Sequence, residues 1–454
     1  MRIRLATPLT LGEIAKACEG ETKSVASTSI THVCTDSREL EYGDLFWCLF
    51  GKSERGSDYI GEAIKKGAYT LSEISCKSDI FHPDPNRAIL IFGAAHIKTL
   101  PYLLYRIAIT GSVGKTTTKE FLKILLSEQY KVHASEGNYN SVTGMPMSLL
   151  TAPQTSEIII SEMGMNGPNE ISKMSLALCP DIAIITNIGS AHIGRLGSRE
   201  AIASAKSEVT DGMKNGSVLV PYAENLLKKS GRSISFSASD IAANIYVEWS
   251  ENGRVSIYKN HVKICESPFV IKEQHHLECL AAAIGAALLC GMDPNLISRG
   301  VARISRDNTR QSVFLCKNRH IYSDCYNASY ESMLAGIEEF IKASPNGRRS
   351  LVLGDILELG NYSHSIHSAI GAAISKTDIN HLFLLGKECS AIASGAIKNG
   401  FPEKRISINF DTTRPDVTAD QIMTYTDEDD HLYFKASHGI ALWRVIDIIR
   451  GDIK

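Results

Sequence analysis

One stretch constrains this chain more than any other: Ile107-Ala108-Ile109-Thr110-Gly111-Ser112-Val113-Gly114-Lys115-Thr116-Thr117-Thr118-Lys119-Glu120. A short apolar, β-branched run enters a glycine-rich turn, and Gly-Lys-Thr then opens an amphipathic segment. That order is the strand–turn–helix of a phosphate-binding loop. Backbone N–H groups of Gly111, Ser112, Val113 and Gly114, with those of the helix start at Thr116 and Thr117, are expected to cradle polyphosphate. Lys115 would reach the outer phosphates, and the Thr116 hydroxyl would hold Mg²⁺. Ile109 occupies the place of the first glycine of the general pattern, so the loop is a variant form.

The rest of the chain alternates strands and helices in three segments, which predicts an α/β protein of three domains over 1–100, 101–305 and 306–454. In the first, the spacing of Leu11, Ile14, Ala15 and Cys18 predicts a helix over 11–18, residues 44–50 read as a buried strand, and 59–66 as a helix. This is a small α/β unit without a nucleotide loop. In the second, the strand 107–110 and the helix after Lys115 are followed by strands over 157–161 and 181–186. These are apolar on both faces, as in a covered parallel sheet. Residues 233–271 alternate in polarity and predict an antiparallel insert, followed by an alanine-rich helix over 279–290. In the third, strands over 320–324, 350–353, 381–385, 405–408 and 432–435 separate helical runs, the pattern of a Rossmann-like doubly wound domain.

The composition excludes several classes. A net charge of −2 argues against a nucleic-acid partner. No uninterrupted apolar run reaches the roughly 18 residues of a membrane span. Residues 1–8 have no apolar core of a secretory signal, so a cytoplasmic location is expected. The 11 cysteines are scattered without a Cys-x-x-Cys pair, which speaks against a disulfide framework and a structural zinc site and for reduced core residues.

Chemistry converges on the second segment. Glu162 ends the strand after the phosphate loop, at the carboxyl edge where open α/β sheets bind ligands, and from there can share Mg²⁺ with Thr116. His192 lies just past the next strand, in Thr186-Asn187-Ile188-Gly189-Ser190-Ala191-His192, and its position favours a metal role. Lys206 lies in a helical run and, by itself, reads as a surface lysine.

Taken together these motifs resemble the Mur ligases, ATP-dependent enzymes that add amino acids to the peptidoglycan precursor. The resemblance covers nearly the whole chain. It is carried by Thr35-Asp36-Ser37-Arg38, Gly43-Asp44-Leu45-Phe46, Gly51-Lys52, the loop Thr110–Lys119, Gly137-Asn138-Tyr139-Asn140, Gly144-Met145-Pro146, Glu162–Asn166, Thr186–His192, Leu196-Gly197-Ser198, Asp324–Ala328 and Leu353–Gly360. It is nearest to members that join D-alanyl-D-alanine to a UDP-linked muramyl tripeptide through an acyl phosphate. The resemblance implies three domains, binding in turn the UDP end of the substrate, ATP, and, by closure, both. It implies a cytoplasmic monomer with two Mg²⁺, one held by Thr116 and Glu162, the other by His192 and a carbamylated Lys206. It further implies Ser37 and Arg38 on the UDP moiety, Asn187, Arg310 and Asp324 on the nucleotide, and Asn327 in the dipeptide pocket.

The sequence departs from the family in a short linker before the loop, at Ala94–Arg106, and in three motifs. The usual His-Asn-x-x-Asn reads His275-His276-Leu277-Glu278-Cys279, Pro-Gly-Arg reads Asp307-Asn308-Thr309-Arg310, and Lys-Gly-Ser-Arg reads Lys435-Ala436-Ser437-His438. All three fall on the adenine and amine sides. A specialised relative joining a different acid or amine, or a paralogue that binds UDP-muramyl peptide without chemistry, therefore stand as alternatives. Retention of Lys115, Thr116, Glu162, His192 and Lys206 argues against the second.

Overall fold

A computed structural model describes residues 1–23, 26–51, 53–227, 232–305, 312–344 and 346–451. Three sheets organise them. The first has six strands in the spatial order Arg2–Thr10, Ser29–Cys34, Leu45–Trp47, Tyr69–Ser72, Ile80–Phe81 and Glu21–Thr22. Its two edge pairs are antiparallel and the rest parallel. The buried strand expected over 44–50 is shorter, Leu45–Trp47. Asp44 turns its carboxylate to Arg2 and to the Glu41 N–H, and the Asn86 side chain takes both backbone groups of Phe50, leaving no ladder to extend.

The central sheet has nine strands. Tyr105–Thr110 lies between Ile158–Glu162 and Ile182–Ile185, all parallel. Ile107 and Ile109, Ile158 and Ile160, and Ile182 and Ile184 enter one apolar core, while Ala108, Ile159, Ala183 and Ile185 enter the core on the other face. A strand so covered has no polar face to show water, which is why these runs lack alternation. Chain order reverses on either side of Tyr105–Thr110, so the crevice at its carboxyl end is the topological switch point.

The predicted antiparallel insert is a continuation of this sheet. Ser233–Ser237 pairs parallel with Ser217–Pro221, and Ile245–Ser250 parallel with Ser233–Ser237. Only Arg254–Lys259 and Val262–Pro268 turn antiparallel. The polar alternation arises because one face of these outer strands meets water, a signal that pairing direction does not alter.

The alanine-rich helix begins earlier than predicted, at Gln274, and ends at Leu289. Its first turn buries His276 against the Phe121 ring, at a centroid separation of 6.2 Å. Small side chains let it lie close to the sheet: a Cβ on Gly285 would meet Leu219 Cδ2 at 2.5 Å.

The third sheet orders Ser312–Cys316, Arg319–Asp324, His431–Lys435, Arg349–Gly354, His381–Leu385 and Ile406–Asn409. All pairs are parallel except the first, an edge hairpin that the periodicity does not reveal.

All eleven cysteines are free, eight of them buried, with Cys76 exposed. Burial pushes the thiols of Cys18, Cys279, Cys290 and Cys325 up to about 12. The reactive form is the thiolate. A thiol reagent at pH 8 should therefore label Cys76 first and these four only after unfolding, read by peptide mass spectrometry. Rapid native labelling of Cys279 would contradict its burial.

Candidate active site

The phosphate-loop strand ends at Thr110, and its helix runs Lys115–Leu126. Between them Gly111 has φ +146° and Gly114 φ +82°, and a Cβ on Gly111 would fall 1.8 Å from Thr186 Oγ1. Both positions therefore require glycine. The loop is clamped by the segment after the neighbouring strand. Ser112 and Val113 donate their N–H groups to Asn187 Oδ1 at 3.1 and 3.0 Å, and Thr186 donates its hydroxyl to the Val113 carbonyl at 2.6 Å. Gly189 N–H donates to Ser112 Oγ at 2.9 Å. Lys115 Nζ donates to the Gly111 carbonyl at 2.8 Å, folded along its own loop.

Thr116 and Glu162 meet as the sequence suggests. Thr116 Oγ1 donates to Glu162 Oε2 at 2.6 Å. The other oxygen, Oε1, accepts from Asn140 Nδ2 at 2.8 Å, and Ser135 Oγ accepts from the Glu162 N–H at 3.2 Å. Hydroxyl and carboxylate oxygens converging on one point suit a hard cation. Among the described residues no group of three or more His, Cys, Asp or Glu forms a ready metal cage.

His192 caps the short helix Ile193–Leu196 with φ +67°. Burial holds its imidazole below the usual range; Glu358 opposes this, and the positive charges of Lys206 and Lys115 reinforce it. Lys206, in the helix Arg199–Ser207, is 2% exposed, which corrects the surface reading. Its helix turns that face into the molecule beside the phosphate loop. Burial, then Lys115, pushes its ammonium well below the usual lysine range, and among the described residues it enters no salt bridge.

A cavity of about 650 Å³ opens at the switch point. Its walls include Ser112–Thr118, Glu162 and Asn187 from the central sheet, Cys279 from the alanine-rich helix, and Asp324 and Asn327 across the gap. Asp324 Oδ2 accepts from Lys435 Nζ at 2.5 Å and from Tyr433 Oη at 3.1 Å. Cys279 Sγ lies 3.8 Å from the Gly114 carbonyl, so the departure from the family pattern sits directly against the loop. Ser37 and Arg38 do not line this cavity. Ser37 opens a short 3₁₀ turn, and Arg38 is 85% exposed, paired with Asp36 at 2.6 Å. Arg310 lies outside the described residues.

Comparison with known proteins gives the same grouping. The sequence profile for the Mur ligase middle domain matches residues 109–287, and that for the Mur ligase glutamate ligase domain matches 309–438. UDP-N-acetylmuramoyl-tripeptide–D-alanyl-D-alanine ligase of Bacillus subtilis is 32% identical over 443 residues, spanning 94% of each chain. The chain belongs to the Mur ligase family. As a Mur ligase it is an ATP-dependent enzyme that forms amide bonds. Its three-sheet fold matches the crystal structure of MurF from Acinetobacter baumannii with a TM-score of 0.85 at 24% identity, covering 99% of this chain and all of that one. MurF from Thermotoga maritima, solved in complex with ADP, matches with a TM-score of 0.77 at 24% identity over 92% of this chain and 97% of that one.

Some residues of this ligase's site were not singled out for it from sequence. Asn140 was legible only as part of Gly137-Asn138-Tyr139-Asn140, and Lys435 only as the start of an altered motif. Nothing local tells that the Asn140 amide reaches Glu162, or that Lys435 neutralises Asp324.

Proposed function

We propose that this ligase joins D-alanyl-D-alanine to a UDP-N-acetylmuramoyl tripeptide at the expense of ATP, in peptidoglycan precursor synthesis. One observation carries the reading: a single cavity sets the phosphate loop with Thr116 and Glu162 opposite Asp324 and Asn327 of the third sheet. That arrangement lets a nucleotide and an acceptor meet across a gap that closure can shut. The name of the Bacillus relative, similar along nearly the whole chain, supplies the substrate pair.

In this reading the tripeptide carboxylate attacks the γ-phosphorus of ATP and ADP leaves. The dipeptide amine then attacks the acyl phosphate through a tetrahedral intermediate and phosphate departs. Such chemistry asks the protein chiefly to position reactants and neutralise charge. Loop N–H groups and Lys115 receive the phosphates once the lysine releases the Gly111 carbonyl. Thr116 and Glu162 would hold one Mg²⁺, and His192 with Lys206 a second. When bound, the metal supplies charge neutralisation on the transferring phosphoryl group.

Lys206 suits carbamylation because only a neutral amine adds CO₂, and its surroundings favour that form. The carbamate carries the oxygen ligand and negative charge that a buried ammonium lacks. The remaining assignments belong to the same proposal: Ser37 and Arg38 on the UDP moiety, Asn187, Arg310 and Asp324 on the nucleotide, Asn327 on the dipeptide. So do the domain limits at 100/101 and 305/306, the monomeric state and the cytoplasmic location; among the described residues no helix is long and apolar enough to cross a membrane.

Phosphate release with ATP and D-Ala-D-Ala, using tripeptides ending in lysine or diaminopimelate, tests the reading. Dipeptide-dependent release is expected, with a product heavier by the dipeptide less one water. Release with another amine but not this dipeptide points to a specialised relative. UDP-substrate binding without turnover on any amine points to the non-catalytic paralogue.

A further inference from the structure

The segment Ser190–Leu196 belongs to the central sheet's chain, yet its side-chain partners come largely from the third sheet's. Glu331, in the helix Tyr330–Ala343, accepts from the Ser190 N–H at 2.9 Å and from its hydroxyl at 3.0 Å. Glu358 does more. Its Oε2 lies 2.6 Å from His192 Nδ1, and its Oε1 accepts from Arg195 Nη2 at 2.6 Å. Its backbone carbonyl accepts from the Gly194 N–H at 3.1 Å. The Tyr362 hydroxyl donates to the Gly197 carbonyl at 2.9 Å.

The two backbones touch: a Cβ on Gly194 would lie 2.3 Å from Gly360 N. Glu358 itself holds φ +65°, a left-handed conformation uncommon for a residue with a side chain. A contact this close, made with backbone, carboxylate and a second residue's guanidinium, is a shaped junction.

Its chemical consequence falls on the histidine. With a carboxylate oxygen accepting at 2.6 Å, the ring proton of a neutral His192 belongs on Nδ1. A neutral imidazole carries one ring proton, which leaves Nε2 with its lone pair free. Carboxylates hold ligating histidines in this way, fixing both tautomer and ring direction.

We infer that Glu358 is a positioning residue that sets the His192 tautomer from across the domain junction, so that this part of the site is complete only while the third domain is docked. The nucleotide loop lies outside this control, because Thr116, Glu162, Asn140 and Asn187 bond among themselves and to the loop. Loss of Glu358 is therefore expected to act on turnover while the contacts that shape the phosphate loop stay in place. This rests on the ligase reading above for the part His192 plays in turnover, but not for the tautomer.

The test is ring-nitrogen NMR of ¹⁵N-histidine-labelled full-length protein, with His192 assigned by its loss in His192→Asn, alongside kinetics. Wild type should show the Nδ1-protonated form. Glu358→Ala should shift His192 toward the Nε2-protonated form and lower kcat by about 10- to 100-fold, while the affinity for ADP stays unchanged. Glu358→Gln, whose single carbonyl can serve His192 or Arg195 but not both, should fall between. An unchanged His192 tautomer in a folded Glu358→Ala protein overturns the inference, as does a loss of ADP affinity equal to the loss of kcat. If either variant unfolds, the other gives the same comparison, and Arg195→Ala, which leaves the His192–Glu358 contact in place, should keep the wild-type tautomer. Should the natural amine prove different, the tautomer shift is still expected, so the two readings fail separately.

Discussion

Lys206→Ala should abolish ligation, with kcat falling by about 10³-fold or more, corresponding to about 4 kcal/mol of transition-state stabilisation. The loss should not come from unfolding. Among the described residues Lys206 enters no salt bridge, so its removal breaks no ion pair and relieves a buried amine of its desolvation cost. Circular dichroism and thermal melting should therefore match wild type. Lys206→Arg should be equally inactive. It keeps length and positive charge, but a guanidinium stays protonated and offers no neutral amine to CO₂. ¹³C-labelled bicarbonate should give a carbamate carbon resonance in wild type and in neither variant. Full activity of either variant would remove Lys206 from the site.

Glu162→Gln should lower kcat by about 10³-fold, since a carboxylate serving a metal contributes several kcal/mol to charge stabilisation. The substitution is nearly isosteric. The glutamine carbonyl can still accept from Thr116 or from Asn140, though not with two charged oxygens as Glu162 does. The apparent Mg²⁺ requirement should rise in a titration of rate against Mg²⁺, because the site has lost the carboxylate that meets Thr116. Asn140→Ala should act in the same direction more weakly, freeing one Glu162 oxygen without removing charge. A Glu162→Gln enzyme with wild-type rate and Mg²⁺ dependence would show that the carboxylate serves only to anchor Thr116.

Both effects concern residues whose importance was visible at very different depths. Glu162 could be placed from its own neighbourhood. An apolar run of isoleucines forces a covered strand, and the residue ending it must emerge at the carboxyl edge beside the loop. Lys206 could not, because the segment Ala201–Val209 is amphipathic and compatible with a lysine on either face. Only the family resemblance raised it, and only packing shows why it is special: the helix Arg199–Ser207 turns it inward beside Lys115. The pairing direction of the insert over 233–271 is hidden from the sequence for a related reason. Alternating polarity reports that one strand face meets water, and parallel and antiparallel edges do so equally well. The early start of the alanine-rich helix is not legible in the sequence because its first turn carries two histidines, one buried against Phe121 and one paired with Glu339.

What the chain determines by itself is the phosphate loop and the order of elements around it. Strand, glycine turn and helix are consecutive residues, and their conformations follow from side-chain branching, the φ freedom of glycine and helix periodicity over a dozen positions. What only the tertiary structure decided is who faces the site from afar. His192 meets Glu358 across 166 residues, Thr116 meets Glu162 across 46, and Tyr433 meets Asp324 across 109. No local rule sets those distances. They are set by which strands neighbour one another and by two glycines, Gly194 and Gly360, that let one domain's backbone rest on the other's.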